Sequence, residues 1–331
     1  MTAPWIRAQL RQLLAQRGHA WLLQGPSGLG QYKLALDLAQ AWLCDEPTPD
    51  GACGHCRSCH QVEVRSHTDL AVLLPETEML ARGWPLGEKA QDDIDQKKRK
   101  ASREIRVEAM RDAIEFAQRT SGRGRGKVVL VYPADRMNTI TANTLLKTLE
   151  EPPGDVRFVL ATEAAHLLLP TIRSRCQAHP MAWPVAAEAE GWLQEEGVPA
   201  AAAPVLLRAA GGRPEDALRL HRSGLDARAW SQWPKALVRG DAGAIADWGP
   251  ADLVESLQKL CHDLLAVRSG AAPRFFEATD LPPPASVEAL TGWWRSLAAT
   301  SRTVDHPFNA GLMLEDLVSQ ARAALHSRSH P

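Results

Sequence analysis

At 331 residues, 45% hydrophobic and 23% charged, the chain has the composition of a globular protein with room for two or three domains. A formal net charge of −1 excludes a global attraction to nucleic acid, so any such contact must be local. No apolar run approaches the roughly 20 residues of a membrane span, and Met1–Leu10 lacks the blocks of a secretory leader, so a cytoplasmic protein with no membrane partner is expected.

The first 180 residues alternate helix and strand. Ile6, Leu10, Leu13 and Leu14 predict a helix over Trp5–Arg17, and His19–Gln24 predicts a short buried strand. Gly25-Pro26-Ser27-Gly28-Leu29-Gly30 follows, with Gly25, Gly28 and Gly30 at the spacing of a phosphate-binding P-loop. The next two positions of an active loop are Lys, which reaches the β- and γ-phosphates, and Ser or Thr, which holds Mg²⁺. Here they are Gln31, which is uncharged, and Tyr32, whose oxygen lies too far out. A helix follows over Gly30–Cys44, with Leu34, Leu38 and Trp42 on one face.

Four of the six cysteines then fall together: Cys44, Cys53, Cys56 and Cys59. In a reducing compartment such a cluster points to a metal site and not to disulfides. Four thiolates suit a closed, tetrahedral, structural Zn²⁺ shell. His55 and His60 are nearby alternative ligands, and free thiols or an iron–sulfur cluster are the competing readings.

Strands are predicted over Asp69–Pro75, Lys127–Pro133 and Arg157–Thr162, and helices over Ile105–Arg119 and Thr139–Glu151, the last stopped by Pro152-Pro153. Near-continuous apolar strands separated by helices predict a parallel α/β sheet covered on both faces. The polar stretch Glu76–Glu104 is expected to be a solvated loop, and its Lys97-Lys98-Arg99-Lys100 run carries the sharper alternative of a DNA-phosphate contact. Arg123-Gly124-Arg125-Gly126-Lys127 is expected to be a plain turn. The third strand ends in Tyr132-Pro133-Ala134-Asp135, where an ATPase needs an acid for Mg²⁺ and a Glu for the attacking water. Two independent parts of a hydrolytic site are therefore missing. Thr171-Ile172-Arg173-Ser174-Arg175-Cys176 places two arginines in a short turn.

Beyond residue 181 no strand is predicted. Helices are expected over Ala186–Glu196, Ala200–Ala210 and Pro214–Ser223, then a helical tail over 225–331, broken at Gly270–Pro273 and Leu281–Pro284. Leu312, Leu314, Leu317 and Val318 form an apolar cluster suited to a core or a subunit interface.

Taken together, Gly25–Gly30, the cysteine spacing, Asn143–Pro153, Phe158–Thr162 and Thr171–Cys176 resemble the bacterial clamp loader family within the AAA+ proteins. The resemblance covers residues 1–225 by motif, and the tail by length, helical character and His306–Leu317. It implies an AAA+ P-loop core with the zinc module at 44–59 (1–180), a small helical lid (181–224) and an all-α collar (225–331). It implies a subunit without ATPase or polymerase activity of its own, part of a replicative DNA polymerase holoenzyme. Its partners would be the gamma/tau motor subunits and delta, and through them the sliding clamp and primer–template DNA. Arg175 would act as an arginine finger in a neighbour's ATP site. Glu215 stands where active relatives carry a nucleotide-sensing Arg, with Arg213 able to replace it only after a shift, and Thr162 stands at a sensor position, reduced to packing. The rival reading is an active AAA+ ATPase with an atypical nucleotide site.

Overall fold

The structure is a computed structural model that describes residues 2–241, 243–245, 248–304 and 310–326. The chain divides into two compact units, Met1–Pro184 and Val185–Pro331.

In the first unit the elements run α1 (Pro4–Leu14), β1 (Ala20–Gln24), α2 (Gln31–Leu43), α3 (Arg57–Glu63), β2 (Leu70–Leu73), α4 (Glu76–Arg82), α5 (Glu88–Asp95), α6 (Val107–Gln118), β3 (Lys127–Val131), α7 (Thr139–Glu150), β4 (Val156–Thr162), α8 (Pro170–Arg173) and β5 (Gln177–Pro180). The five strands form one sheet in the order β2-β3-β4-β1-β5, and every pairing is parallel. Val128, Val129, Leu130 and Val131 of β3 are all buried, as a strand covered on both faces requires. In an open parallel sheet the ligand crevice lies beyond the carboxyl ends of the strands. Here those ends carry the glycine loop after β1, Tyr132 after β3 and Thr162 on β4.

Two expectations are corrected. Gln177–Pro180 is a fifth strand, paired with β1 from Trp21↔Gln177 to Gln24↔Pro180. It lies at the sheet edge with only His179 buried, so it carries no apolar run for a period to reveal. The stretch 76–104 is not a bare solvated loop. It holds α4 and α5, and Glu76 gathers the Arg99 guanidinium at 2.5 and 2.8 Å, the Ser102 N–H at 2.8 Å and Arg106 at 3.4 Å. Arg99 is thereby taken out of the basic run, while Lys97, Lys98 and Arg103 stay exposed and Lys100 is exposed beside it.

In the second unit all seven α-helices of the described residues follow in series: α9 (Ala186–Glu195), α10 (Ala203–Ala209), α11 (Pro214–Arg222), α12 (Ala227–Val238), α13 (Pro250–Arg268), α14 (Val287–Ser301) and α15 (Ala310–His326). Its core is aromatic: Trp230 stacks on Phe276 with centroids 4.7 Å apart, and Trp233 meets the same ring edge-on at 5.7 Å. Asp263 is fully buried and accepts the N–H groups of Arg274, Phe275 and Phe276 at 2.9, 2.7 and 2.9 Å, which pins that loop against α13. The apolar cluster on α15 divides: Leu317 is core, whereas Leu312 is 67% exposed. His306–Asn309 lies outside the described residues.

Candidate functional site

The glycine loop keeps the backbone of a phosphate cradle. Gly28 and Gly30 hold φ of 75° and 93°, and Gly30 caps α2 in that left-handed conformation. Gly25 sits so close to β5's end that a Cβ there would lie 2.9 Å from Met181 Cβ. The side chains of the next two positions, however, turn back on the protein. Gln31 is buried, and its Nε2 donates to the carbonyls of Gly25 and Pro26 at 2.8 and 2.6 Å. The amide thus laces the loop to the first turn of its own helix.

Tyr32 is held in a tilted aromatic pair. Its ring lies 5.3 Å from that of Tyr132, which occupies the first position beyond β3. The Arg82 guanidinium, from the end of α4, sits 4.1 Å from the Tyr32 centroid and 5.0 Å from the Tyr132 centroid. Arg82 also pairs with Glu78 at 2.8 Å and its side chain is 32% exposed, so its contact with the rings contributes on the order of 0.5–1 kcal/mol. Trp84 donates its indole N–H to the Tyr32 hydroxyl at 2.6 Å, and Tyr132 donates its hydroxyl to Glu163 Oε1 at 2.8 Å. Burial raises the pKa of both phenols, with the Glu163 charge adding to the rise at Tyr132, so both stay neutral at physiological pH. In an active P-loop site these two positions face Mg²⁺. Here they are filled by a packed, neutral pair under a fixed guanidinium.

Asp135 is engaged as well. It accepts the Thr162 hydroxyl at 2.5 Å, and Thr162 in turn accepts the Ala164 N–H at 3.1 Å. Both residues therefore tie the end of β4 to the turn after β3. In the second unit Arg213 donates to Asp216 at 2.6 Å, and Glu215 lies exposed in the first turn of α11.

Arg175 follows α8 and does not stand free. Its Nε donates to Glu150 Oε1 at 2.8 Å, Nη2 contacts the same oxygen, and Nη1 donates to the Thr171 carbonyl at 2.8 Å. The pair remains open to solvent, with the Arg175 side chain 28% and the Glu150 side chain 49% exposed. Arg173 beside it is exposed.

The four cysteines converge. Cys44 ends α2, Cys56 caps α3, Cys59 lies within α3, and all four sulfurs lie within 4.8 Å of one another. Measured S···S separations are 3.8 Å for Cys44–Cys56, 3.9 Å for Cys53–Cys59 and 3.6 Å for Cys44–Cys59. Sulfurs at about 2.3 Å from a tetrahedral ion lie about 3.8 Å apart, so the residues present fit a Cys₄ metal shell. Backbone N–H groups of Cys53, Cys56 and Cys59 point at the sulfurs of Cys44, Cys53 and Cys56 at 3.3–3.4 Å, the usual support for thiolates. Burial raises the pKa of the Cys44 and Cys59 thiols; burial also opposes ionisation of Cys56, but N–H donors from Cys59 and Asp45 outweigh it and bring Cys56 to about 7. A bound divalent cation is what would deprotonate the remaining thiols.

Sequence reasoning finds Gly25–Tyr32, Tyr132 and the cysteines. It misses Arg82, Trp84, Glu150 and the residues that anchor the cysteine loop. The one available signal for the stack is a tryptophan, Trp84, inside an otherwise polar stretch.

Comparison with known proteins agrees with this architecture. A family model described as DNA polymerase III, delta subunit matches residues 6–183. The chain is 39% identical over 226 residues to DNA polymerase III subunit delta′ of Pseudomonas aeruginosa, covering 67% of this chain and 62% of that protein. It is 35% identical over 198 residues to the delta′ subunit of Escherichia coli K12, covering 58% and 52%, and 32% identical over 276 residues to that of Yersinia pestis, covering 80% and 72%. The match thus spans about half to three-fifths of the length of the first two relatives. With a family model matching more than half of its residues, and a delta′ relative 32% identical and covered over 72% of its length, the chain belongs to the DNA polymerase III delta′ family.

Proposed function

We propose that this chain is a non-hydrolysing subunit of a bacterial clamp loader. It would keep the ATPase frame for its shape and interfaces, and act with gamma/tau motor subunits and delta to load a sliding clamp onto primed DNA. The observation that carries this reading is the tilted Tyr32–Tyr132 pair under Arg82, at the positions that face Mg²⁺ in an active site. Gln31, drawn onto the Gly25 and Pro26 carbonyls, supports it. Gly25, Gly28 and Gly30 then shape a loop that holds no nucleotide.

Within that reading Arg175 is the residue offered to a neighbour's ATP. Its solvent-open position at the end of α8 supports the role, and docking would exchange Glu150 for a phosphate oxygen. An arginine finger in trans is worth roughly 10³–10⁵ in rate at the site that it serves. The zinc assignment for Cys44, Cys53, Cys56 and Cys59 rests on their tetrahedral spacing and is structural, because four protein ligands leave no open position. The core, lid and collar division (1–180, 181–224, 225–331) is part of the same proposal, as is a place in the cytoplasmic replisome.

The test is ATPase of a reconstituted assembly carrying Arg175→Ala. Assembly is expected to persist while DNA-stimulated hydrolysis falls by the share of the site that loses its finger. Unchanged hydrolysis would remove Arg175 from the mechanism. Tight Mg²⁺-dependent ATP binding by the purified chain would favour the rival, an active ATPase.

A further inference from the structure

The basic turn between α6 and β3 does more than reverse the chain. Asp69, buried at the start of β2, accepts the N–H groups of Gly122 and Arg123 at 2.8 and 2.9 Å and the Ser121 hydroxyl at 3.0 Å. Lys127 completes the cradle at 3.4 Å. A turn held in this way presents its side chains in fixed directions. Arg123 reaches out of it to Asp45, with Nη2 at 3.2 and 3.1 Å from the two carboxylate oxygens, and to Gln61 Oε1 at 3.3 Å. Arg125 donates to the Asp45 carbonyl.

Asp45 is the residue after the cysteine Cys44. Its carboxylate also accepts the Ser58 hydroxyl at 2.8 Å and the Ser58 N–H at 3.3 Å, and Ser58 is the residue before Cys59. One carboxylate therefore spans two segments that carry cysteines, and one guanidinium, fixed to the sheet, holds that carboxylate. Cys44 and Cys59 are also the two buried members of the cluster, with sulfurs 3.6 Å apart.

We propose that Asp45 and Arg123 are positioning residues for the metal: together they hold Cys44 and Cys59 at ligating separation, so that losing either weakens metal binding although no ligand is removed. This rests on the zinc reading of the four cysteines. Partners in this position commonly set metal affinity by about 10- to 100-fold. Arg123 suits the task because its separate nitrogens reach two partners at once, Nη2 the Asp45 carboxylate and Nη1 the Gln61 oxygen, which the single nitrogen of a lysine does not reproduce.

The experiment measures zinc affinity of the full chain by competition with a chromogenic chelator, alongside metal content by mass spectrometry. Arg123→Ala and Asp45→Asn are expected to lower zinc affinity by about 10- to 100-fold, with Arg123→Lys in between. Arg119→Ala, which breaks only the exposed pair with Glu115 on α6, is expected to bind zinc as the parent does. Melting with and without chelator separates positioning from simple destabilisation. A positioning role narrows the gap between the two melting temperatures, whereas a purely structural role lowers both equally and leaves affinity unchanged. Parent-like affinity in Arg123→Ala and Asp45→Asn overturns the proposal while the zinc reading stands. A parent chain that binds no zinc overturns the zinc reading and this proposal with it. Should Arg123→Ala fail to fold by circular dichroism, the isosteric Asp45→Asn carries the measurement.

Discussion

Tyr32 on α2 and Tyr132 beyond β3 pack at a 48° tilt with ring centroids 5.3 Å apart, at the two places where a P-loop ATPase holds its magnesium. In the proposed reading the lost lysine and Mg²⁺ ligand are not merely missing: a packed aromatic pair stands in their place.

Restoring the loop alone is expected to fail. Gln31→Lys with Tyr32→Ser brings back the residue types of an active loop but leaves Tyr132, Arg82 and Trp84 in place. The double variant should show no Mg²⁺-dependent binding in a fluorescent-nucleotide titration. It should also lose stability, by about 2 kcal/mol from removal of a half-buried aromatic ring and its cation contact. Micromolar, Mg²⁺-dependent affinity would show that the stack does not exclude nucleotide.

Removing the metal should act locally first. Cys44→Ser, or an excess of chelator, is expected to release zinc and to raise amide exchange across 44–63, while β1, β3 and β4 keep their protection. Structural zinc commonly contributes on the order of 10 kcal/mol to the folding of its own module, and the buried sheet has its own core. Uniform loss of protection throughout the first unit would contradict a module-level role.

The tether on Arg175 gives a third expectation. Glu150→Gln removes the charge that holds the guanidinium, at a cost to stability below about 1 kcal/mol because the pair is solvent-open. If Arg175 must leave Glu150 to serve a neighbour, the same variant should raise ATPase of the reconstituted assembly by up to about 5-fold. Lowered hydrolysis would mean that Glu150 aims the arginine and does not restrain it.

Acid should release the insertion. The Arg99 guanidinium, the Ser102 N–H and Arg106 hold the Glu76 carboxyl below its ordinary value of 4.5, against the opposing effect of burial. A folded pKa below the unfolded one contributes stability in full above about pH 4.5, and that contribution fades as pH falls through the depressed folded value. Amide protection across 88–106, taken relative to the intrinsic exchange rate, should therefore fall below about pH 4.5. In Glu76→Gln protection should already be low at pH 7 and should not fall further with acid.

Local signals made much of this protein legible. β1 to β4 are compact apolar runs, α2, α6 and α7 carry their period in a dozen residues, and the spacing of four cysteines constrains a metal shell by itself. Gln31 and Tyr32 declare from the chain alone that the lysine and the short Ser or Thr hydroxyl of an active loop are absent. Other features were legible only as composition. β5 is an edge strand of four residues whose partner is β1, and α4 and α5 are held by Glu76 and by the Arg82 contact.

Hydrophobic period, cysteine spacing and missing functional groups reside in neighbouring residues, so they are written along the chain. Which groups fill the space left behind is a long-range matter. Tyr32 meets Tyr132, Trp84 reaches Tyr32, Arg175 meets Glu150 and Arg123 meets Asp45 only because a parallel sheet brings separate connections to the same places. Side-chain packing and ion pairing depend on distance in space, and no local pattern encodes the partner.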